Sequence, residues 1–405
     1  MKIFFVLIQL MCFLCTSCAV ETTPLFPCSK YLIEPYGTTV HIALKHDDYP
    51  YRDSLLLLAK NLGMTYIRYD FNPNQKSNIW QDAIQSVKSK GLKNYVVLDK
   101  GKKERRPWDN YKLYKQYLDA SVLKYRNDVS AWEIMNNVDI LWDGSNLRTN
   151  KIATKGYTSV LPQIIKYIKK NSPQSDIMMG SICLIETDFF NTLFEKNYFD
   201  KVKAFDFHSY RSPEELIIVF EKLKKKMDKY KCYPPFWLTE CGMSTELDSN
   251  KVNIKKNELE KEQAQRVARI HLLSFAYGVE KVFWYNLRSL EKNPYNKESH
   301  FGLLHRDLSP KPSYYAYKAL TTMCPSGSLR PKLIVKDGTY LCDWIRPDGN
   351  HVWAVWNPVG EESFNIEIKG KCVFVDFMGN EITKPNHIGA SVIYIVGDKR
   401  TNVIL

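Results

Sequence analysis

Eight short apolar runs, each followed by a longer amphipathic one, fill residues 38–322 and constrain this chain more than any other feature. The strand-like runs are TTVHIAL (38–44), MTYIRYDF (64–71), NYVVLD (94–99), VSAWEIMN (129–136), DIMMGSI (176–182), AFDFHSY (204–210), PFWLTE (235–240) and KVFWYNL (281–287). Helix-like segments follow near 51–62, 76–90, 110–125, 157–171, 187–196, 212–229, 254–277 and 311–322. Any single run fits a buried strand of several α/β folds. Eight βα units in succession fit a closed (β/α)8 TIM barrel. A doubly wound sheet would use fewer strands and open on a glycine-rich turn. The chain has neither G-x-G-x-x-G nor G-x-x-x-x-G-K-[ST], so no nucleotide cofactor is expected.

After MCPSGS (323–328) the pattern changes. TYLCDWI, HVWAVWN, FNIEIKG, KCVFVDF and SVIYIV read as strands joined by turns such as Asp348-Gly349-Asn350 and Gly379-Asn380. Residues 323–405 therefore read as a small antiparallel, β-sandwich-like domain, one face of which the barrel should cover.

The first 18 residues read as a targeting segment. Lys2 precedes the apolar run IFFVLIQLMCFL (3–14), which is shorter than the roughly 20 residues a spanning helix needs. The run ends in Leu14-Cys15-Thr16-Ser17-Cys18, which resembles a bacterial lipoprotein processing site with Cys18 as the acylated residue. Ordinary secretion with cleavage nearby is the other reading, because Cys15 sits where an aliphatic or small residue is more usual. Both readings send the protein out of the cytoplasm, as a periplasmic or surface lipoprotein of the cell envelope or as a secreted protein. Membrane contact is expected through the lipid anchor alone. Residues 19–37 are left as an N-terminal segment ahead of the barrel.

Export permits disulfides, but the seven cysteines beyond Cys18 are odd in number and widely spaced, which is no disulfide framework. They form no CxxC or CxxH pattern, so a metal site is not expected. The net charge of +13 raises the question of nucleic acid. Its lysines, however, alternate with acids in stretches such as EKLKKKMDKYK (221–231) and KVNIKKNELEKE (251–262), as on solvated helix faces. No nucleic-acid partner is expected.

In such a barrel the chemistry sits at the C-terminal ends of the strands. The second run carries Arg68 and ends at Asp70; the fourth ends in Asn136-Asn137; the sixth ends in His208-Ser209-Tyr210. The seventh ends in Glu240, and the eighth carries Trp284 and Asn286. An aromatic face beside hydrogen-bonding groups suits a sugar ring. A carboxylate beside Arg and Tyr suits a nucleophile kept ionised.

With these residues in place, residues 38–322 resemble the large retaining clan of (β/α)8 glycoside hydrolases, clan A, especially cellulase-like family 5 and the xylosidase- and iduronidase-like family 39. WEIMNN resembles that clan's W-E-x-x-N-E, WLTECG its nucleophile segment, and HSY its H-x-Y. FGLLHRDLSPKPSYYAYKAL (301–320) resembles its closing segment. The resemblance implies a carbohydrate substrate, Glu240 as nucleophile, and Arg68 and Tyr210 as its partners. It also implies His208 in the pocket, Asn136 on a sugar hydroxyl and Trp284 as the floor under the ring.

One position departs from the clan. The acid/base glutamate should follow Asn136, and Asn137 stands there. An amide cannot protonate a leaving oxygen, and retaining hydrolysis needs two carboxyl groups. Glu133 lies deeper in the strand and reads as the partner of a buried Arg or His. Asp139 reads as a loop cap that could swing in, and His46-Asp47-Asp48 as a capping cluster at the rim. Cys241 reads as packing rather than as a thiol nucleophile. Two functions follow: a retaining-type β-glycosidase lacking the usual acid/base, or a carbohydrate-binding pseudo-glycosidase lipoprotein.

Overall fold

The computed structural model describes residues 20–44, 48–74, 77–99, 101, 106–139, 151–247 and 255–405. Cys18, His46 and Asp47 lie outside the described residues. The chain begins with strand β1 (Val20–Thr22) and enters the barrel at β2 (Tyr36–Thr39). The other barrel strands are β3 (Tyr66–Phe71), β4 (Lys93–Leu98), β5 (Val129–Ile134), β6 (Asp176–Met178), β7 (Phe205–His208), β8 (Phe236–Cys241) and β9 (Lys281–Trp284). Each overlaps its expected run, although β2 starts two residues early and shares only Thr38 and Thr39 with the run at 38–44. They pair in parallel in the order β6-β5-β4-β3-β2-β9-β8-β7. Parallel bridges Met178–Ala204 and Ile182–Phe207 join the two ends of that order.

The helices are α1 (Arg52–Asn61), α2 (Ser77–Ser89), α3 (Tyr111–Leu118), α4 (Lys151–Asn171), α5 (Asp188–Glu195), α6 (Pro213–Tyr230), α7 (Lys256–Ala276) and α8 (Pro312–Met323). Local sequence explains their starts and faces. In α5, Phe189, Phe190, Leu193 and Phe194 recur at helical spacing and are buried. Ser212 and Glu215 form a reciprocal capping box that opens α6, with Pro213 at its first position.

Strand parity decides what faces the barrel axis. Tyr66, Tyr95, Ala131, Met178, Ala204, Trp237 and Phe283 form an interior layer separate from the main core. Gly37 makes room for it: a Cβ there would lie 2.3 Å from the Phe283 ring. On β3, Ile67, Tyr69 and Phe71 face outward into the main core, whereas Tyr66, Arg68 and Asp70 share the inward face.

The C-terminal region is antiparallel. Its main sheet contains β10 (Lys332–Lys336), β11 (Thr339–Ile345), β12 (His351–Trp356), β15 (Cys372–Val375), β16 (Glu381–Ile382) and β18 (Ile393–Gly397). Two short pairs, β13 (Glu362–Ser363) with β17 (His387–Ile388) and β14 (Glu367–Lys369) with β19 (Asn402–Ile404), complete it. One face packs on the barrel: Trp344 Nε1 donates to the Met323 carbonyl at 2.9 Å, and Trp356 Nε1 to Glu214 at 3.3 Å. The other face holds its own core around Leu341, Trp353, Val355 and Ile395. β1 pairs with β10, Val20 opposite Val335, so the N-terminal segment contributes an edge strand to this domain.

Candidate active site

Arg68 organises the inner end of the barrel mouth. Its guanidinium is buried and donates from Nε to Glu133 Oε2 at 2.7 Å and from Nη2 to Glu133 Oε1 at 2.8 Å. Nη1 reaches Glu240 Oε1 at 2.6 Å, and Nη2 also reaches Asn136 Oδ1 at 2.9 Å. Burial alone would weaken this cation, but Glu133 and Glu240 outweigh it and raise its pKa well above the ordinary value. Glu133 is thus the structural partner its depth in β5 implied.

Glu240 sits at the end of β8, nearly buried. Its second oxygen accepts from the Tyr210 hydroxyl at 2.5 Å, and His208 Nδ1 lies 3.3 Å from the same oxygen. Burial raises the Glu240 pKa, while Arg68 and Tyr210 pull it back. Burial first, and Arg68 second, push the His208 pKa well below its usual range, so the ring is neutral. Below this cluster Asp206 is fully buried with neither oxygen hydrogen-bonded, and burial raises its pKa well above the carboxylate range.

The chain leaves β5 through Met135 and Asn137, both at positive φ (72° and 49°). Asparagine enters this left-handed region more readily than most residues. The kink aims Asn136 at Arg68, and Asn136 Oδ1 also accepts from Ser181 Oγ at 2.8 Å. The Asn137 backbone N–H donates to Ser181 Oγ at 3.1 Å, and its Oδ1 accepts from the Cys183 thiol at 3.1 Å. Asp139 accepts from the Cys183 and Leu184 backbone N–H groups at 3.0 and 2.6 Å. That is a loop cap. Burial lifts its pKa to about 6, against those N–H bonds.

Trp284 is where the sequence expectation fails. It is fully buried on the outward face of β9, with its ring 6.5 Å from and nearly parallel to His271 of α7. Its Nε1 donates to the Phe301 carbonyl at 3.3 Å. No face is left for a sugar. Phe283 holds the inward position opposite Gly37, which forces Trp284 out. Tyr285, one residue on, takes the mouth instead. It is partly exposed, its ring 6.0 Å from Tyr210 and 5.5 Å from Phe301, and its hydroxyl is 3.5 Å from His41 Nε2. Glu240 and Asp70 both contribute to raising its pKa, after burial.

The remaining candidates have other employment. Asp48 is buried, pairs with Arg288 at 2.9 Å and accepts from the His41 N–H at 3.2 Å. Cys241 is buried in the main core. Among the described residues, Glu260, Glu291 and His305 bring ligand-type atoms within 4.8 Å of one another. Lys256 already supplies a cation there, 3.1 Å from Glu291.

No family model and no curated protein matches the sequence. Solved structures do. A family 39 glycoside hydrolase from Bacteroides cellulosilyticus aligns over 91% of this chain and 81% of its own, with TM-score 0.67 and 18% identity. A conserved exported protein from Bacteroides fragilis aligns over 94% and 100%, with TM-score 0.65 and 11% identity. A monomeric β-xylosidase from Caulobacter crescentus aligns over 94% and 98%, with TM-score 0.61 and 12% identity. The shared feature is the fold: a parallel eight-strand barrel followed by an antiparallel β domain.

Proposed function

We propose that this protein is a retaining-type β-glycoside hydrolase acting on a poly- or oligosaccharide, with Glu240 as nucleophile and no standard acid/base. The observation that carries the reading is the set of contacts on Glu240: Arg68 at 2.6 Å on one oxygen and Tyr210 at 2.5 Å on the other. Two donors hold the carboxylate ionised and oriented despite its burial. The glycosidase likeness of the fold supports the substrate class.

In this reaction Glu240 attacks the anomeric carbon as the glycosidic C–O bond breaks, and the leaving oxygen departs with the electron pair. Asn137 has no proton to give, so the oxygen leaves as an anion or takes its proton from water. Water then attacks the glycosyl-enzyme and releases Glu240, again without a protein base at this position. Both steps favour substrates whose leaving group is stable as an anion. Asn136 binds a sugar hydroxyl beside the reacting carbon, and Tyr285 replaces Trp284 as the aromatic surface. Export, with lipidation at Cys18, places this activity in the cell envelope.

A second reading is favoured by Asn137 itself: a pseudo-glycosidase that binds glycan without turnover. Intact-protein mass after incubation with activated 2-deoxy-2-fluoro glycosides separates the two. A covalent adduct that disappears in Glu240→Gln supports the enzyme. Sugar binding with no adduct across the panel supports the binder.

A further inference from the structure

Asp70 is an inward-facing carboxyl at the mouth of the site. It lies at the end of β3 on the same inward face as Arg68, two residues nearer the mouth, and is partly exposed. It has no hydrogen bond and no ion pair among the described residues. Among the described residues nearby, Glu133 and Glu240 are engaged by Arg68, Asp48 by Arg288 and Asp139 by backbone N–H groups, while Asp206 is fully buried below them.

The surroundings fix what such a carboxyl can bind. Arg68 is the cation in contact with Glu240, and its donors are committed to Glu133, Glu240 and Asn136. His208 is neutral, and Lys297 over the Phe301 ring at the rim is offset by Glu298 beside it. The inner pocket therefore carries more negative than positive charge. It has acceptors to spare for hydroxyl donors, and its buried cation, Arg68, is already committed to Glu133, Glu240 and Asn136.

We infer that Asp70 accepts hydrogen bonds from hydroxyls of the bound sugar and restricts the pocket to uncharged glycones, excluding uronic acids. The assignment rests on the glycoside-hydrolase reading and adds the substrate class to it. Partly desolvated and unpaired, Asp70 gains from donors that replace its lost water. Burial raises its pKa while Arg68 and His41 lower it, as expected for a carboxyl short of partners. A sugar carboxylate beside Asp70 and Glu240 would instead add like charge to a poorly hydrated site.

The test compares 2,4-dinitrophenyl 2-deoxy-2-fluoro glycosides of gluco and xylo configuration, whose leaving group needs no general acid, with the corresponding glucuronide, on the wild type and on Asp70→Asn. Labelling of Glu240 is read by intact mass, and binding of the same compounds by saturation-transfer NMR. The wild type is expected to take a neutral probe at least tenfold faster than the carboxylate. Asp70→Asn should shrink that ratio at least tenfold, a change that a uniform loss of folded protein would not cause. Faster labelling by the carboxylate probe, or a ratio unmoved in Asp70→Asn, overturns the assignment. If no probe labels Glu240 yet neutral compounds bind in preference and that preference falls in Asp70→Asn, the nucleophile reading fails and the Asp70 assignment stands. No labelling and no binding preference overturns both.

Discussion

Arg68 lies 2.7 Å from Glu133 and 2.6 Å from Glu240, so one guanidinium bridges carboxylates from β5 and β8. Removing it should leave two buried carboxylates facing one another. Arg68→Met is expected to lose about 3–5 kcal/mol at pH 7, the usual cost of breaking a buried ion pair. In that variant Glu240 loses the cation that opposes the effect of burial, so its pKa, already above the ordinary value, rises further. The deficit should therefore shrink as pH falls and the pair takes up a proton. Urea unfolding at neutral and mildly acidic pH checks both parts.

Trp284 and Tyr285 should separate stability from binding. Trp284→Ala removes a fully buried ring and is expected to cost on the order of 3–5 kcal/mol of stability. Tyr285→Ala opens little core, but should weaken sugar binding about tenfold, on the order of 1.4 kcal/mol. Thermal melts paired with sugar titrations distinguish the two. The opposite assignment would restore Trp284 as the stacking platform.

These two neighbours also mark where the sequence stops being legible. The eight barrel strands were readable because each apolar run is long enough to carry its own signal. Arg68, Glu240 and Tyr210 stood out as polar groups in or just beyond the second, seventh and sixth runs, and the structure brings the three into contact. Within KVFWYNL every central residue is apolar or aromatic, so nothing local says which alternate positions face inward. The answer lies in Gly37, about 245 residues earlier, which admits Phe283 to the axis. Had that small residue been matched to a large inward one, the parity would have followed. β1 escaped for a related reason: three residues pair with a strand more than 300 positions away, and no periodicity accumulates over so short a segment. Asp70 was visible as a strand end, but its lack of partners is a property of the assembled mouth.

His271 should make part of the stability pH-dependent. Burial lowers its pKa from 6.5 to about 4, against the bond from its Nδ1 to the Val267 carbonyl. Its folded pKa lies below the unfolded one. Its contribution is therefore complete above pH 6.5 and is lost as pH falls toward about 4. The slope is at most about 1.4 kcal/mol per pH unit. His271→Leu should remove that component from unfolding curves measured across this window.

The nucleophile itself should titrate. Burial lifts the Glu240 pKa above the ordinary glutamate value of 4.5, with Arg68 and Tyr210 opposing. Attack needs the carboxylate. Labelling by an activated fluoroglycoside should rise with pH through a midpoint above 4.5. It should then stay level to about pH 8, because no general acid is lost on the alkaline side. A bell-shaped profile would reveal an acid elsewhere in the site.

The central claim is that Glu240 works as a nucleophile at a site where Asn137 can give no proton. It is tested most directly by kcat/KM across a series of aryl glycosides of graded leaving-group pKa, for the wild type and for Asn137→Glu. The account predicts a steep fall in the wild type as the leaving group grows more basic. In Asn137→Glu the slope should flatten, with gains of about 10²–10⁴ confined to the poorest leaving groups. The left-handed backbone at this position should trim that gain somewhat. A flat dependence in the wild type would mean that a proton is already being delivered and would contradict the account.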